Sequence, residues 1–495
     1  MKMKKLLTFV LTAAMTLGLT ACGGGSGDGS GSAANSSDGV GAAGSDGSAG
    51  TVQNVVVAIP TLFDINDSQM VADAINEIAA DKYGVTVTLE FIAVGNWAQQ
   101  TNLLLTSDEV DVLAFYSTPL TTFIKNNQAL PLEDYVENAS DAFKAVWSDA
   151  ELQGTSMNGH IYAIPNLRNF GNTRGLDIDE KIAAEFGIED GQHMTLDEVS
   201  EFLYAAHEAY PDRYAIVPQG GSNMVSGWTW DGLGDSKFIG VLEDCGQDLT
   251  VKNLFETDDF TELCTYTRQW YADGLSMADA LSNTEDGKKL IQAGKAVACL
   301  ENYAVDTAEG CIRTVIVDAW AVSNSYAELC YGINTNSSKP DAAWKALEMF
   351  YVDQDICELL TNGIEGTHYT VNEDGTTTYT ENGGYNISAI AWVLPYSGYA
   401  HPIDANGSAY FEDLIAFNDS CMKSKGLGFA FDSTSVANQY TACCNVMDKY
   451  YAALMCGTVD VESTIAQANE ELEAAGLSDI ISAKQEQLDA FLSAR

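Results

Sequence analysis

Apolar and polar positions divide the chain into alternating strand and helix patterns. Residues 52–60 (V-Q-N-V-V-V-A-I-P) read as a buried strand closed by a turn over 61–67. Residues 70–82 carry an apolar stripe at Val71, Ala74, Ile75, Ile78 and Ala79 and predict a helix. Residues 85–92 alternate as a second strand, 97–106 form a second helix, and 110–115 (V-D-V-L-A-F) form a third strand. This β-α-β-α-β succession predicts a parallel sheet with crossover helices. In such sheets ligands bind beyond the carboxyl ends of the strands, which points to residues 61–63 and 116–118.

Further on, a helical stretch is expected from Leu130 to about Ala150. Thr195-Leu196-Asp197-Glu198 has the spacing of a capping box, in which Thr195 accepts from the third helical N–H and Glu198 reaches back. Val199, Phe202, Leu203 and Ala206 continue that helix as its buried stripe. Tyr214–Val217 reads as a strand, 260–273 as a helix and 296–300 as a strand. A helix opens near Pro340, Asp374-Gly375 marks a hairpin within 371–381, and three helices close the chain, the first ending near Met455.

The start of the chain has a different character. Lys2, Lys4 and Lys5 precede an apolar run from Leu6 to Leu19, too short to span a membrane and flanked like a secretory leader. It ends in Leu19-Thr20-Ala21-Cys22, which resembles a bacterial lipobox; that resemblance implies lipidation of Cys22 and loss of residues 1–21. Residues 22–50 are almost wholly Gly, Ser, Ala, Asp and Asn and cannot supply a core. Such a coil reaches about 30 Å. The expectation is a soluble body held by a leash on the extracellular face of the cell membrane.

Charge narrows the partners. The chain has 24 Lys and Arg against 70 Asp and Glu, a formal net charge of −46. Such a surface repels nucleic acid and anionic lipid, and disfavours strongly anionic ligands. Ten cysteines between Cys245 and Cys456 lie in apolar runs without C-x-x-C spacing and read as buried small hydrophobes, with disulfide pairing left open. The five histidines are scattered, no P-loop, dinucleotide fingerprint or G-x-S-x-G elbow occurs in the body beyond residue 50, and neither a metal nor a cofactor is expected.

Asn158-Gly159-His160-Ile161-Tyr162-Ala163-Ile164-Pro165 resembles the "G-K-x-Y-x-x-P" stretch of bacterial extracellular solute-binding proteins of family 1, with His160 in place of the usual Lys. The stretch 176–187, the "T-x-x-E" start at Thr195, and Gly294-Lys295-Ala296-Val297-Ala298 resemble further family segments, in the same order. Gly363-Ile364-Glu365-Gly366-Thr367-His368-Tyr369 and the helical tail are similar to the large oligosaccharide-type lipoprotein branch that includes LplA and LipO. The resemblance implies an α/β, two-lobe, periplasmic-binding-protein-like (type II) fold with a hinge, an interlobe ligand cleft and a helical C-terminal tail. Lobe one would take residues 51–165 and 321–363, and lobe two residues 166–320. The hairpin and C-terminal helices, 364–495, would lie mainly on lobe two. It further implies a monomer without enzymatic activity that passes a carbohydrate to an ABC permease. A peptide or polyol ligand, and more remotely a secreted glycoside hydrolase, stay open as alternatives.

A sugar site needs flat apolar faces and planar polar groups able to bond two hydroxyls at once. Trp228, Trp230 and Asp231 have that composition in a Gly/Ser-rich loop, with loop packing as the competing role. Glu301, Asn302 and Tyr303 follow a strand's carboxyl end. Arg168 and Asn169 follow the expected crossover, with a structural salt bridge as the alternative for Arg168. Tyr116 and Ser117 end the third strand. Glu365 and His368 belong to the family-like motif, with hairpin anchoring as the alternative. Trp97, Trp320 and Trp392 read as core aromatics, with a ligand-facing role as the alternative.

Overall fold

Val55, Val57, Ala58 and Ile59 have no exposed surface, so the strand Gln53–Thr61 is covered on both faces, as the centre of a parallel sheet requires. The computed structural model describes residues 52–157, 159–220, 223–305 and 309–494. The leader, Cys22 and the segment 22–50 lie outside the described residues. Val85–Ala93 pairs in parallel with the first strand from Gln53↔Val85 to Thr61↔Ala93. Val112–Tyr116 joins the other side in parallel, with Val57 opposite Val112. The helix Ser68–Lys82 crosses between the first two strands and buries Val71, Ala72, Ile75 and Ala79, one face at helical spacing. Leu329–Ile333 then lies antiparallel to Val112–Tyr116, and Ile164–Pro165 antiparallel to Leu329–Ile333. Segment 321–363 therefore returns to the first sheet.

A second sheet runs Met422–Lys423, Val317–Ala321, Asn172–Asp179, Ala296–Tyr303, Tyr214–Val217. Its central strand, Asn172–Asp179, is polar in sequence and buried in structure. Asp177 meets Arg313 at 3.1 Å, from Cys311–Arg313, which pairs antiparallel beside it. Gly175 in that strand has no room for a Cβ, which would lie 1.8 Å from the Thr314 carbonyl oxygen.

Each sheet has its own apolar core. The first gathers residues from 55–170 and 321–427, and the second from 176–300 and 436–480. This placement differs from the expectation that 364–495 lies mainly on lobe two. Tyr385, Ile387, Val393 and Leu394 are buried in the first core, so the hairpin region packs on lobe one. The helices Ala437–Met455, Val461–Ala475 and Leu477–Ser493 do cover lobe two. The crossing segments are tied together. Asn418 accepts from Phe170 N (2.9 Å) and donates to the Arg168 carbonyl (2.8 Å). Ser424 N donates to the Ala321 carbonyl at 3.0 Å.

Local chemistry explains most element ends. Both bonds of the Thr195/Glu198 capping box are present, and they open the helix Leu196–Ala209. The expected helix over 130–150 is instead three short ones, Glu133–Glu137, Asp141–Val146 and Asp149–Leu152. Ser140 and Ser148 each cap a new N-terminus and break the run. The ten described cysteines are free thiols.

Candidate functional site

The strands' carboxyl ends build the site on lobe one. Thr61 fixes the first turn, its hydroxyl donating to the Phe63 carbonyl at 2.7 Å. Tyr116 sits edge-on between Trp97 (ring centroids 6.5 Å apart) and Trp392 (6.4 Å). Trp97 is fully buried and Trp392 is 37% exposed, so this aromatic row runs from the core to the surface. Ser117 follows in the left-handed region at φ +65°, a conformation that costs a non-glycine residue about 1 to 3 kcal/mol and collects at functional turns.

Beyond this turn opens a cleft of about 780 Å³, within the size range of small-ligand sites. Its lobe-one side includes Tyr116, Ser117, Ile124 and Met157. The opposite side includes Gly234, Asn324, Phe429 and Phe491. Lys125 and Asp432 form an ion pair across it. Burial pushes the Asp432 carboxyl up, but its bonds from Lys125 and Thr434 hold it below the usual carboxylate range. A smaller recess of about 210 Å³ lies on the other side of the Tyr116–Trp392 contact, lined by Arg168, Asn169, Ser388, Trp392 and His401.

Of the sequence candidates, Tyr116 and Ser117 line the cleft and Arg168 and Asn169 line the recess. Arg168 is a salt-bridge residue there: it pairs with Glu328 at 2.8 Å and bonds the Ser325 carbonyl. Asn169 donates to Asn172 at 3.1 Å.

Glu301, Asn302 and Tyr303 end the strand Ala296–Tyr303 on lobe two. Gln219, at the end of the neighbouring strand, donates to Glu301 (2.7 Å) and to Asn302 (2.5 Å). Gln219 is absent from the sequence candidates, although the carboxyl-end rule that selected Glu301 applies equally to it. Burial raises the Glu301 carboxyl, opposed by Lys288 at 3.7 Å and by the Gln219 bond. The Tyr303 hydroxyl is committed to the Thr314 carbonyl at 2.7 Å, with the Arg313 guanidinium 4.6 Å from its ring. Arg174, opposite Asn302 in the sheet, lines neither the cleft nor the recess. It is 4% exposed, lies 5.3 Å from the Trp320 ring, and burial pulls its guanidinium down to about 10.

Other candidates take structural roles. Trp228 and Trp230 are 4% and 2% exposed and belong to the second core, where Trp230 packs on Phe238 and Phe260. Asp231 has no exposed surface and accepts from Leu233 N, Ser323 N and the Ser323 hydroxyl. The Gly/Ser loop folds these three inward, against the expectation that they face a ligand. His368 is buried, accepts from Ile364 N at 2.9 Å and meets Asp67 at 3.3 Å. It anchors the hairpin loop, while Glu365 is exposed on that loop, and neither lines the cleft. Among the described residues, no group of three or more His, Cys, Asp or Glu side chains converges to hold a metal. No described helix is long and apolar enough to cross a membrane.

Comparison with known proteins places this geometry. Residues 425–493 match the family model for a domain of unknown function, DUF3502. Over 446 residues the chain is 23% identical to a carbohydrate ABC transporter substrate-binding protein of Streptococcus pneumoniae serotype 4, covering 86% of this chain and 88% of the relative. The structure is similar to the N-glycan transport solute binding protein NgtS of Streptococcus pneumoniae, with a TM-score of 0.75 at 16% identity, covering 89% of this chain and 99% of NgtS. It is also similar to an HMO-binding, ABC-transporter-associated solute binding protein of Bifidobacterium longum infantis, with a TM-score of 0.60 at 16% identity over 90% and 100% of the two chains. The fold is that of two-lobe solute-binding proteins, as the sequence resemblance implies.

Proposed function

We propose that this chain captures a carbohydrate, an oligosaccharide, between its lobes and presents it to the permease of an ABC importer. The observation that carries this reading is the 780 Å³ cleft, which opens at the carboxyl-end turn Tyr116–Ser117 and is faced by residues of both halves of the chain. Similarity to carbohydrate-binding proteins of the same fold supports it. Within the cleft Tyr116 offers an aromatic surface and Ser117 a polar group, while Trp392, in contact with Tyr116, and Asn169 line the smaller recess. Ligand binds the closed arrangement of the lobes better than the open one and so selects it. No residue is assigned a catalytic role, and the chain acts as a monomer. The lipobox-like Cys22 and the segment 22–50 hold the body at the outer face of the membrane.

A thermal-shift screen followed by calorimetry tests the reading, using oligosaccharides, peptides, polyols and amino acids. A ligand that binds only the folded state adds about 2.7 kcal/mol of stability at one hundred times Kd. A shift with one class of sugar is expected. A shift with peptides or polyols and none with sugars would overturn the ligand assignment and leave the fold untouched.

A further inference from the structure

The segment matching a domain of unknown function is built into the large cleft. Its last helix, Leu477–Ser493, carries Lys484, Gln487 and Phe491 at spacings of three and four, hence on one face. Lys484 is fully buried and donates to the carbonyls of Ile239 (2.7 Å), Gly240 (2.9 Å) and Gly232 (3.2 Å), with Asp235 at 3.3 Å. That grip fixes the helix to lobe two. Gln487, one turn on, brackets the Asp432 backbone, accepting from its N–H (3.0 Å) and donating to its carbonyl (2.9 Å). Phe491, another turn on, packs against Phe429 with ring centroids 5.6 Å apart, and both rings line the cleft. One helical stripe thus anchors the segment at one end and presents an aromatic surface to the cleft at the other.

Charge decides what such a surface accepts. Among the described residues lining the cleft, the only cation is Lys125, and Asp432 already pairs with it. The lining also includes Glu328, which Arg168 holds at 2.8 Å. The chain as a whole carries −46. An anionic ligand finds no unpaired positive group on this wall and meets a repulsive field. An uncharged ring with apolar C–H faces and peripheral hydroxyls fits the Phe429–Phe491 surface with Ser117 and Asn324 opposite and beside it.

We propose that residues 425–493 are the selecting wall of the cleft, and that this wall takes an uncharged glycan chain rather than a uronate. The inference rests on the carbohydrate reading above.

The test uses calorimetry on the protein and two variants, with neutral gluco-, manno-, galacto- and fructo-oligosaccharides and with oligouronates. Phe491→Ala removes the aromatic face. Ala490→Trp obstructs the cleft from an exposed position and removes no packing. Phe491→Ala is expected to weaken the best neutral ligand at least about tenfold, the loss of a buried aromatic contact, and Ala490→Trp at least as much by filling the space the ligand needs. The unliganded melting temperature of Ala490→Trp should stay at the parent value. Parent-like affinity in both variants overturns the wall and leaves the carbohydrate reading standing. Tighter binding of oligouronates than of neutral chains overturns the ligand class. If the parent protein binds none of these sugars, the carbohydrate reading itself falls, and this inference with it.

Discussion

Lys125, on the short helix Leu120–Lys125 of lobe one, pairs with Asp432, on the segment that leads into the C-terminal helices of lobe two. The pair spans the cleft with both side chains partly exposed, at 42% and 32%. An exposed pair contributes about 0.2 to 1 kcal/mol, which bounds its effect on lobe closure at roughly fivefold in affinity. Lys125→Met should weaken ligand binding by no more than that, and the difference should vanish in about 1 M salt, where the screening length is near 3 Å. The pH dependence has a definite sign. The folded Asp432 carboxyl lies below its unfolded value, so its contribution is present above the ordinary Asp range and is lost as pH falls through the lower folded value. Denaturant titrations of parent and variant should therefore differ near neutrality and converge in acid.

Two tryptophans separate packing from binding. Trp230 is 2% exposed within the second core, so Trp230→Ala should destabilise the protein by about 3 to 5 kcal/mol. Any loss of ligand binding in that variant should track unfolding. Trp392 is 37% exposed beside Tyr116, so Trp392→Ala should change stability by less than about 1 kcal/mol while weakening binding. Thermal melts and calorimetry on both proteins distinguish the cases. Intact affinity in Trp392→Ala would remove the aromatic row from the site.

The legible parts of the chain are those that short-range rules govern. Helical stripes placed the buried face of Ser68–Lys82, and the T-x-x-E spacing placed the N-terminus of Leu196–Ala209. The carboxyl-end rule pointed to Tyr116 and Ser117, which line the cleft. What was not legible depends on partners distant in sequence. Asn172–Asp179 does not read as a central strand because Arg174 and Asp177 look solvent-facing; Arg313, far along the chain, makes Asp177 tolerable inside. Trp228 and Trp230 look like loop aromatics because their neighbours are Gly and Ser, yet that loop folds back onto helix Asp258–Ala272. Lys484 carries no signal of burial, since its carbonyl partners lie near residue 240.

Lys484 gives a second stability prediction. Its ammonium has no exposed surface, and burial lowers its pKa against the pull of Asp235. Removing one partner of a buried charged cluster costs about 3 to 5 kcal/mol. Asp235 keeps bonds from Lys237 N, Ile239 N and the Tyr440 hydroxyl, which places Lys484→Met near the lower end of that range. A lysine whose folded pKa lies below its unfolded value makes stability rise with pH between the two values. Parent stability should therefore climb toward alkaline pH more steeply than that of the variant, until tyrosines and other lysines titrate. Urea unfolding across that range reads both the loss and its slope.

The proposed lipid anchor makes a separate prediction. No described helix is long and apolar enough to span one. With a net charge of −46, the protein is repelled by anionic headgroups and gains no electrostatic attachment. On the lipobox reading, attachment comes from the lipid. Each buried methylene contributes about 0.8 kcal/mol, and stable anchoring takes two chains or a second signal. The diacylglycerol that the lipobox reading places on Cys22 would supply two chains. Cys22→Ser should move the protein from the membrane fraction to the soluble one, with ligand affinity unchanged because the described lining of the cleft starts at Tyr116 in the sequence. Fractionation of cells expressing either form, with calorimetry on both, checks this. Persistence of Cys22→Ser in the membrane fraction would reject the lipobox reading and require another attachment.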